Sequence, residues 1–121
     1  MNPIRIQRSR QHKQISPNEL PIKYVGRPTK FGNPFRVEEM EFDGQYSIKT
    51  SNPCCTEILT DNCHVVYKTK MGAIEDAINC YEIYIKGTDL SALKGYNLSC
   101  WCRIGDPCHV DVLLKILNQT L

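Results

Sequence analysis

Hydrophobic and polar positions change period several times along this chain, and each change marks an element. Ile4 and Ile6 alternate with Arg5 and Gln7, the period-two signature of a short half-buried strand. Ser9 to Pro21 follows as a polar loop. Ile22 to Val25 reads as a second short strand ended by Gly26, after which Pro28, Gly32 and Pro34 exclude regular structure as far as Phe35. From Arg36 to Lys68 the pattern is faint, with weak alternation in Glu41 to Ile48 and Val65 to Tyr67 that suits a hairpin or a small excursion at about 46–69. The period then becomes helical. Ile74, Ala77, Ile78, Tyr81 and Ile85 fall on one face of a helix spanning Met71 to Lys86, with Glu75, Asp76, Asn79 and Glu82 opposite and Gly87 closing it. Leu90 to Leu93 predicts a brief helical turn, and Asn97 to Cys102 a compact buried strand. A last helix is expected from Pro107 to about Gln119.

Helix, strand and helix in that order predict a small α/β layer, a single domain with a short, mostly parallel sheet flanked by helices. Asn97 to Cys102 would be an inner strand parallel to Ile22 to Val25, with the Met71 helix as crossover. In such sheets ligands gather beyond the carboxyl ends of the strands, where the segments after Val25 and after Cys102 would meet.

Length and composition narrow the class. At 121 residues the chain can bury a working core without disulfides. The first ten residues are basic but lack the apolar stretch of a secretory signal, and no run approaches a membrane span, so a cytoplasmic protein without membrane contact is expected. Seven cysteines without regular spacing then read as buried thiols, metal ligands or nucleophiles rather than disulfides.

The net charge of +2 conceals an uneven distribution, because residues 1–36 carry eight Lys or Arg against the single acid Glu19. That segment is +7 and the remainder −5. A basic third suits an anionic partner, either a phosphate-bearing small molecule or a nucleic-acid strand, and it equally describes a solvated basic arm. Tyr24, Phe31 and Phe35, interleaved with those charges, supply rings that stack on bases.

Two blocks concentrate the residues that are hardest to place without a reason, Tyr24 to Phe35 (YVGRPTKFGNPF) and Ser99 to Asp111 (SCWCRIGDPCHVD). In the first, Gly26 and Gly32 permit close approaches, while Pro28 and Pro34 stiffen the loop. Arg27 and Lys30 would present charge to a ligand, Asn33 would read a polar edge, and Phe31 would cover a ring. The same residues also describe an ordinary loop wrapping a sheet edge. In the second block, Asp106 and Pro107 form a helix-start signal that places Cys108 and His109 in the first turn. A thiol there feels the positive helix end and a neighbouring imidazole, which makes Cys108 the candidate nucleophile and His109 the candidate base. Free amides of that turn, with Arg103 nearby, would also hold a phosphate. Simple packing of Cys108 beneath the turn is the plainer alternative.

Cys100, Cys102, Cys108 and His109 offer four zinc-type donors within ten residues. Adjacent Cys108 and His109 fit one tetrahedral centre awkwardly, and Cys-Trp-Cys on a strand lacks the usual turn between paired thiolates, so zinc stands as a rival account. Cys54, Cys55, Cys63 and His64 form a second donor set of unfamiliar spacing, and Cys80 reads as helix packing.

Together the two blocks resemble a family known as domain of unknown function 4326, found in bacteria and their phages. Its members carry a YVGRPTKWGNPF-type segment near the start and a CWC, short loop, CHGDVLLE-type segment near the end. The resemblance covers Tyr24 to Phe35, Met71 to Leu117 and the Arg-rich start, and it implies Gly26, Arg27, Gly32, Asn33, Pro34, Phe35, Cys100, Trp101, Cys102, Cys108, His109 and Asp111 as characteristic positions. Phe31 replaces the usual Trp, and Val110 stands where Gly is commoner. The resemblance implies no activity.

The expected function is therefore binding of a nucleotide-like or other phosphate-bearing ligand where the two loops join, with modification or sequestration both open. Arg27, Lys30 and Arg103 would hold negative charge, Phe31 and Trp101 would stack, Asp111 would take part in binding, and Cys108 and His109 would lie nearest any reacting group. A nucleic-acid accessory protein and a zinc-stabilised, non-catalytic interaction module are the alternatives.

Overall fold

The computed structural model describes residues 3–10, 16–41 and 44–119. Residues 11–15 of the expected Ser9 to Pro21 loop, and residues 42–43 of the Glu41 to Ile48 alternation, lie outside them. In chain order the elements are β1 (Arg5–Gln7), β2 (Ile22–Tyr24), β3 (Arg36–Glu39), β4 (Tyr46–Lys49), α1 (Thr56–Asn62), α2 (Lys70–Ile85), β5 (Asn97–Cys100) and α3 (His109–Gln119), with short 3-10 turns at Pro53–Cys55 and Ser91–Leu93. The fold is α/β, as the alternation of periods predicts. Among the described residues no helix is long and apolar enough to cross a membrane.

Contacts divide the chain into two compact units, Met1–Gly32 with Thr88–Leu121, and Asn33–Gly87. In the first, β5 lies between β1 and β2 in a three-stranded parallel sheet, with Ile6 and Tyr24 both in register with Ser99. Parallel pairing of β2 with β5 agrees with the expectation from sequence. All four residues of β5 are buried, which explains why this strand is a compact run rather than an alternating one. Helix α3 packs against β5 and β1 and buries Val110, Val112 and Leu113.

Two boundaries differ from the sequence reading. The last strand stops at Cys100, because Gln7 is its final partner on β1 and Arg8 N–H caps the ladder on the Cys100 carbonyl at 2.7 Å. Trp101 and Cys102 therefore bend away. The last helix begins at His109 rather than Pro107, since Asp106 belongs to a preceding turn: its N–H donates to the Arg103 carbonyl at 3.1 Å. Gly105, at φ +100, makes that turn possible.

The second unit pairs β3 with β4 in an antiparallel hairpin, and Tyr67 adds a bridge to Tyr46. Helix α2 packs on both strands and on α1. Its buried face, Ala73, Ala77, Cys80, Tyr81 and Ile85, overlaps the predicted stripe, and Cys80 packs as expected. Thr69 starts the helix by accepting the Gly72 N–H at 3.0 Å, and Gly87 ends it at φ +82. Phe35, Ile48, Cys55, Tyr67, Ala73, Ala77 and Cys80 form the core of this unit.

Candidate functional site

Strand alternation gives the three-stranded sheet two chemically different faces. Leu98 and Cys100 are on one side of β5, and the Cys100 sulfur lies 3.1 Å from that of Cys108 at the start of α3. Asn97 and Ser99 are on the other, in register with Ile22 and Tyr24 of β2. Along this second face runs an open cleft of about 510 Å³ lined by Arg8, Ser16, Ile22, Tyr24 and Ser99.

At the carboxyl end of the cleft, the Arg8 guanidinium lies 4.6 Å over the Tyr24 ring and 5.4 Å from the Trp101 ring, with Arg10 5.9 Å from Trp101. Stacking occupies the faces of a guanidinium and leaves its N–H edge for an anion. The Ser99 hydroxyl, fully buried at the cleft floor, has no hydrogen-bond partner among the described residues. A buried hydroxyl without a partner is costly, and a ligand oxygen or nitrogen would repair it. At the opposite end Asn97 is fully buried and fully engaged. Its amide pairs with that of Asn18 at 2.7 and 3.2 Å, donates to the Ser16 hydroxyl at 3.1 Å and accepts from Ile4 N–H at 3.0 Å. This hub fixes the Ser16–Asn18 segment beside the cleft.

Behind the sheet, the sulfurs of Cys100, Cys102 and Cys108 all lie within 4.8 Å of one another. The bend after β5 makes this possible, because a continued strand would carry Cys102 a further repeat away from Cys100. Within this cluster, hydrogen bonds from Cys100 and then Cys108 lower the pKa of Cys102, while hydrogen bonds to Cys100 and Cys102 and burial raise that of Cys108. His109 Nε2 lies 2.9 Å from the Val25 carbonyl, which can only accept, so Nε2 carries the proton and Nδ1 presents a lone pair, 3.6 Å from the Cys108 sulfur. Burial keeps this imidazole neutral by lowering its pKa.

Arg5 braces the segment between Cys102 and Cys108. Its guanidinium donates to the Asp106 carbonyl at 2.8 Å, to the Asp111 carboxylate at 2.9 Å and to the Arg103 carbonyl. Burial opposes the Arg5 charge, but Cys108, Asp111 and Cys100 outweigh it and raise its pKa.

The first block is rigid, as its Gly and Pro content predicts. Thr29 N–H and its hydroxyl both donate to the Gly26 carbonyl, at 3.0 and 2.7 Å, and Gly32 N–H returns to the Thr29 carbonyl at 3.0 Å. A Cβ at Gly32 would stand 2.9 Å from Arg27 N and 3.0 Å from Arg27 Cα, so this loop closes on itself only with glycine there. The Arg27–Pro28 peptide is cis. Tyr24 reaches over Gly26 to donate its hydroxyl to the Arg27 carbonyl at 2.6 Å.

The sequence-derived site residues are distributed as follows. The His109–Val25 hydrogen bond ties the loop after β2 to the head of α3, and Cys100, Cys102, Cys108 and His109 gather at that head. Trp101 is about half exposed beside the cleft. Arg27, Lys30 and Arg103 are exposed, and none of them lines the cleft; Lys30 rests 5.1 Å from the ring of Phe31, which is itself buried. Asp111 is engaged with Arg5. Asn33 lies in the second unit, where its side chain accepts Phe35 N–H at 2.9 Å and donates to the Ala77 carbonyl at 3.4 Å. The second donor set does not assemble: Cys63 faces Cys80 at 2.9 Å, His64 packs edge-on against Tyr67, and Cys54 is exposed. Arg8, Ser99 and Asn97 escaped the sequence reading. The signal for Arg8 and Ser99 was present in strand alternation, which puts Ile6, Arg8, Ile22, Tyr24, Asn97 and Ser99 on one face once the parallel register is drawn.

A family model described as "Domain of unknown function (DUF4326)" matches residues 4–119, nearly the whole chain. No curated protein and no solved structure matches it.

Proposed function

The chain belongs to the DUF4326 family, and we propose that it binds a phosphate-bearing, nucleotide-like ligand in the cleft over the β1–β5–β2 sheet. The observation that carries this reading is the Tyr24–Arg8–Trp101 stack at the carboxyl edge of a parallel sheet. Arg8 supplies a forked cation for phosphate oxygens, and the half-exposed Trp101 supplies a ring for a base. Ser99 offers a hydroxyl that lacks a partner among the described residues. At about 510 Å³ the cleft has the size of ordinary small-molecule sites. The excess of basic residues in the first third supports an anionic partner.

Thermal denaturation with a panel of 5′-mononucleotides tests the proposal. A ligand at about 100 times its Kd stabilises by roughly 2.7 kcal/mol. The expected result is a saturable rise in Tm for at least one mononucleotide, lost in Arg8→Ala. Absence of any shift at millimolar concentration, together with single-strand binding that weakens steeply with salt, would replace the small-molecule reading with the strand-binding one.

A further inference from the structure

On the face of the sheet opposite the cleft, we infer that Cys100, Cys102 and Cys108, with His109 Nδ1 as fourth donor, form a zinc-type metal centre. This inference goes beyond the ligand cleft and does not depend on it. The chain brings three sulfurs together there by turning back on itself: they come from the last residue of β5, the bend that follows it, and the residue before α3. Hydrogen bonds among thiols are not a strong reason for three sulfurs to cluster, since a thiol is a weak donor and a weak acceptor. A divalent ion gives them one.

The geometry fits. In a tetrahedral site with Zn–S near 2.3 Å and Zn–N near 2.0–2.1 Å, ligand sulfurs stand about 3.8 Å apart and sulfur and nitrogen about 3.6 Å apart. Here the three sulfurs lie within 4.8 Å of one another, the Cys100 and Cys108 sulfurs at 3.1 Å. His109 Nδ1 stands 3.6 Å from the Cys108 sulfur but lies outside that 4.8 Å group, so the three thiols form the preassembled part of the site and the imidazole closes toward it when an ion binds. The imidazole is already oriented for the task, because the Val25 carbonyl holds the Nε2 proton at 2.9 Å and so directs the Nδ1 lone pair toward the thiols. A metal-bound histidine characteristically has such a carbonyl behind it.

A divalent cation held by three thiolates leaves a local charge of −1. Arg5, whose side chain is 9% exposed and bonded to the turn at Arg103–Asp106, places a positive charge beside the thiols that it shares with the Asp111 carboxylate. Adjacent Cys108 and His109 can face a common point, because His109 Nδ1 stands 3.6 Å from the Cys108 sulfur. The absent turn between Cys100 and Cys102 is supplied by the bend at Trp101.

The test uses the full chain, purified without chelator. Native and denaturing mass spectrometry should show one zinc per chain that is lost on denaturation. Reduced, metal-free protein titrated anaerobically with cobalt(II) should show the visible bands of a tetrahedral ion and thiolate charge transfer saturating at one equivalent. Cys102→Ser, at the least buried of the three sulfurs, should lower that charge transfer by about one third, His109→Ala should shift the visible bands while keeping it, and Cys63→Ser should change neither. Protein that is isolated metal-free and develops no thiolate–cobalt charge transfer would overturn the inference. So would peptide mapping that finds a Cys100–Cys108 disulfide in freshly isolated protein.

Discussion

Replacing Arg5 by Met removes the brace between β1 and the head of α3 while keeping an apolar side chain of similar length. The Arg5 side chain is 9% exposed and makes hydrogen bonds to two carbonyls and one carboxylate. Breaking one side of a fully buried pair costs about 3–5 kcal/mol, and a hydrogen bond to a charged group contributes about 1.5–3 kcal/mol. Asp111 is 55% exposed and can rehydrate, as can the carbonyls of the exposed residues Arg103 and Asp106, which lowers the expectation to about 2–3 kcal/mol. For a chain of this size that is a Tm fall of roughly 8–12 °C. Urea denaturation of wild type, Arg5→Met, Asp111→Asn and the double variant measures it. Asp111→Asn should cost under about 1 kcal/mol, and the cycle should return a coupling of about 1 kcal/mol. Because Arg5 holds the segment that leads into Cys108, alkylation of Cys108 in the native protein should also accelerate in Arg5→Met. A stability within about 0.5 kcal/mol of wild type would refute the argument that this guanidinium organises the turn.

Other consequences follow from single contacts. Gly32→Ala places a methyl against the Arg27 backbone, which cannot move aside as a side-chain tip can, so a loss of about 1–3 kcal/mol is expected by urea denaturation. Asn97→Ala leaves Ile4 N–H and the Asn18 amide without their buried partner, and a loss of about 2–4 kcal/mol is expected in the same assay. Tyr67 donates to Asp76 at 2.7 Å, and burial followed by this bond raises its pKa. The native state therefore holds the phenolic proton more tightly than the unfolded chain does. That stabilisation is complete below the unfolded value of about 10 and is lost as pH rises above it. Tyr67→Phe should cost about 1–2 kcal/mol at neutral pH, yet its stability should fall less steeply than that of wild type above about pH 10. Parallel curves for the two proteins would remove Tyr67 from the alkaline transition.

Much of the first unit was legible because its elements obey local rules. Alternation at Ile4–Gln7, the compact run after Gly95 and the strand-then-glycine pattern at Val25–Gly26 each corresponded to a real strand, and parallel pairing followed from the helical content between them. Helix α2 was found within one residue at each end because its apolar stripe is regular and a closing Gly follows it. Strand β3 was illegible: of Arg36, Val37, Glu38 and Glu39, only Val37 is even partly buried, so no alternation strong enough to read survives. The end of β5 was misplaced because Trp101 and Cys102 are good strand residues, and what stops them is the length of β1, a non-local fact. The donor cluster was recognised by residue type, while its geometry depended on that same bend. Arg8 and Ser99 needed a drawn register before they could be seen on one face, and the charge of Arg27 and Lys30 was the more conspicuous signal.

Trp101 is the only tryptophan in the chain and stands beside Arg8 at the mouth of the cleft, so its fluorescence reports directly on occupancy. Titration of the full chain with a 5′-mononucleotide should give a saturable change in Trp101 emission, reversed by excess inorganic phosphate and absent in Arg8→Ala. Emission that stays constant to millimolar nucleotide across all the common bases would contradict ligand binding in this cleft.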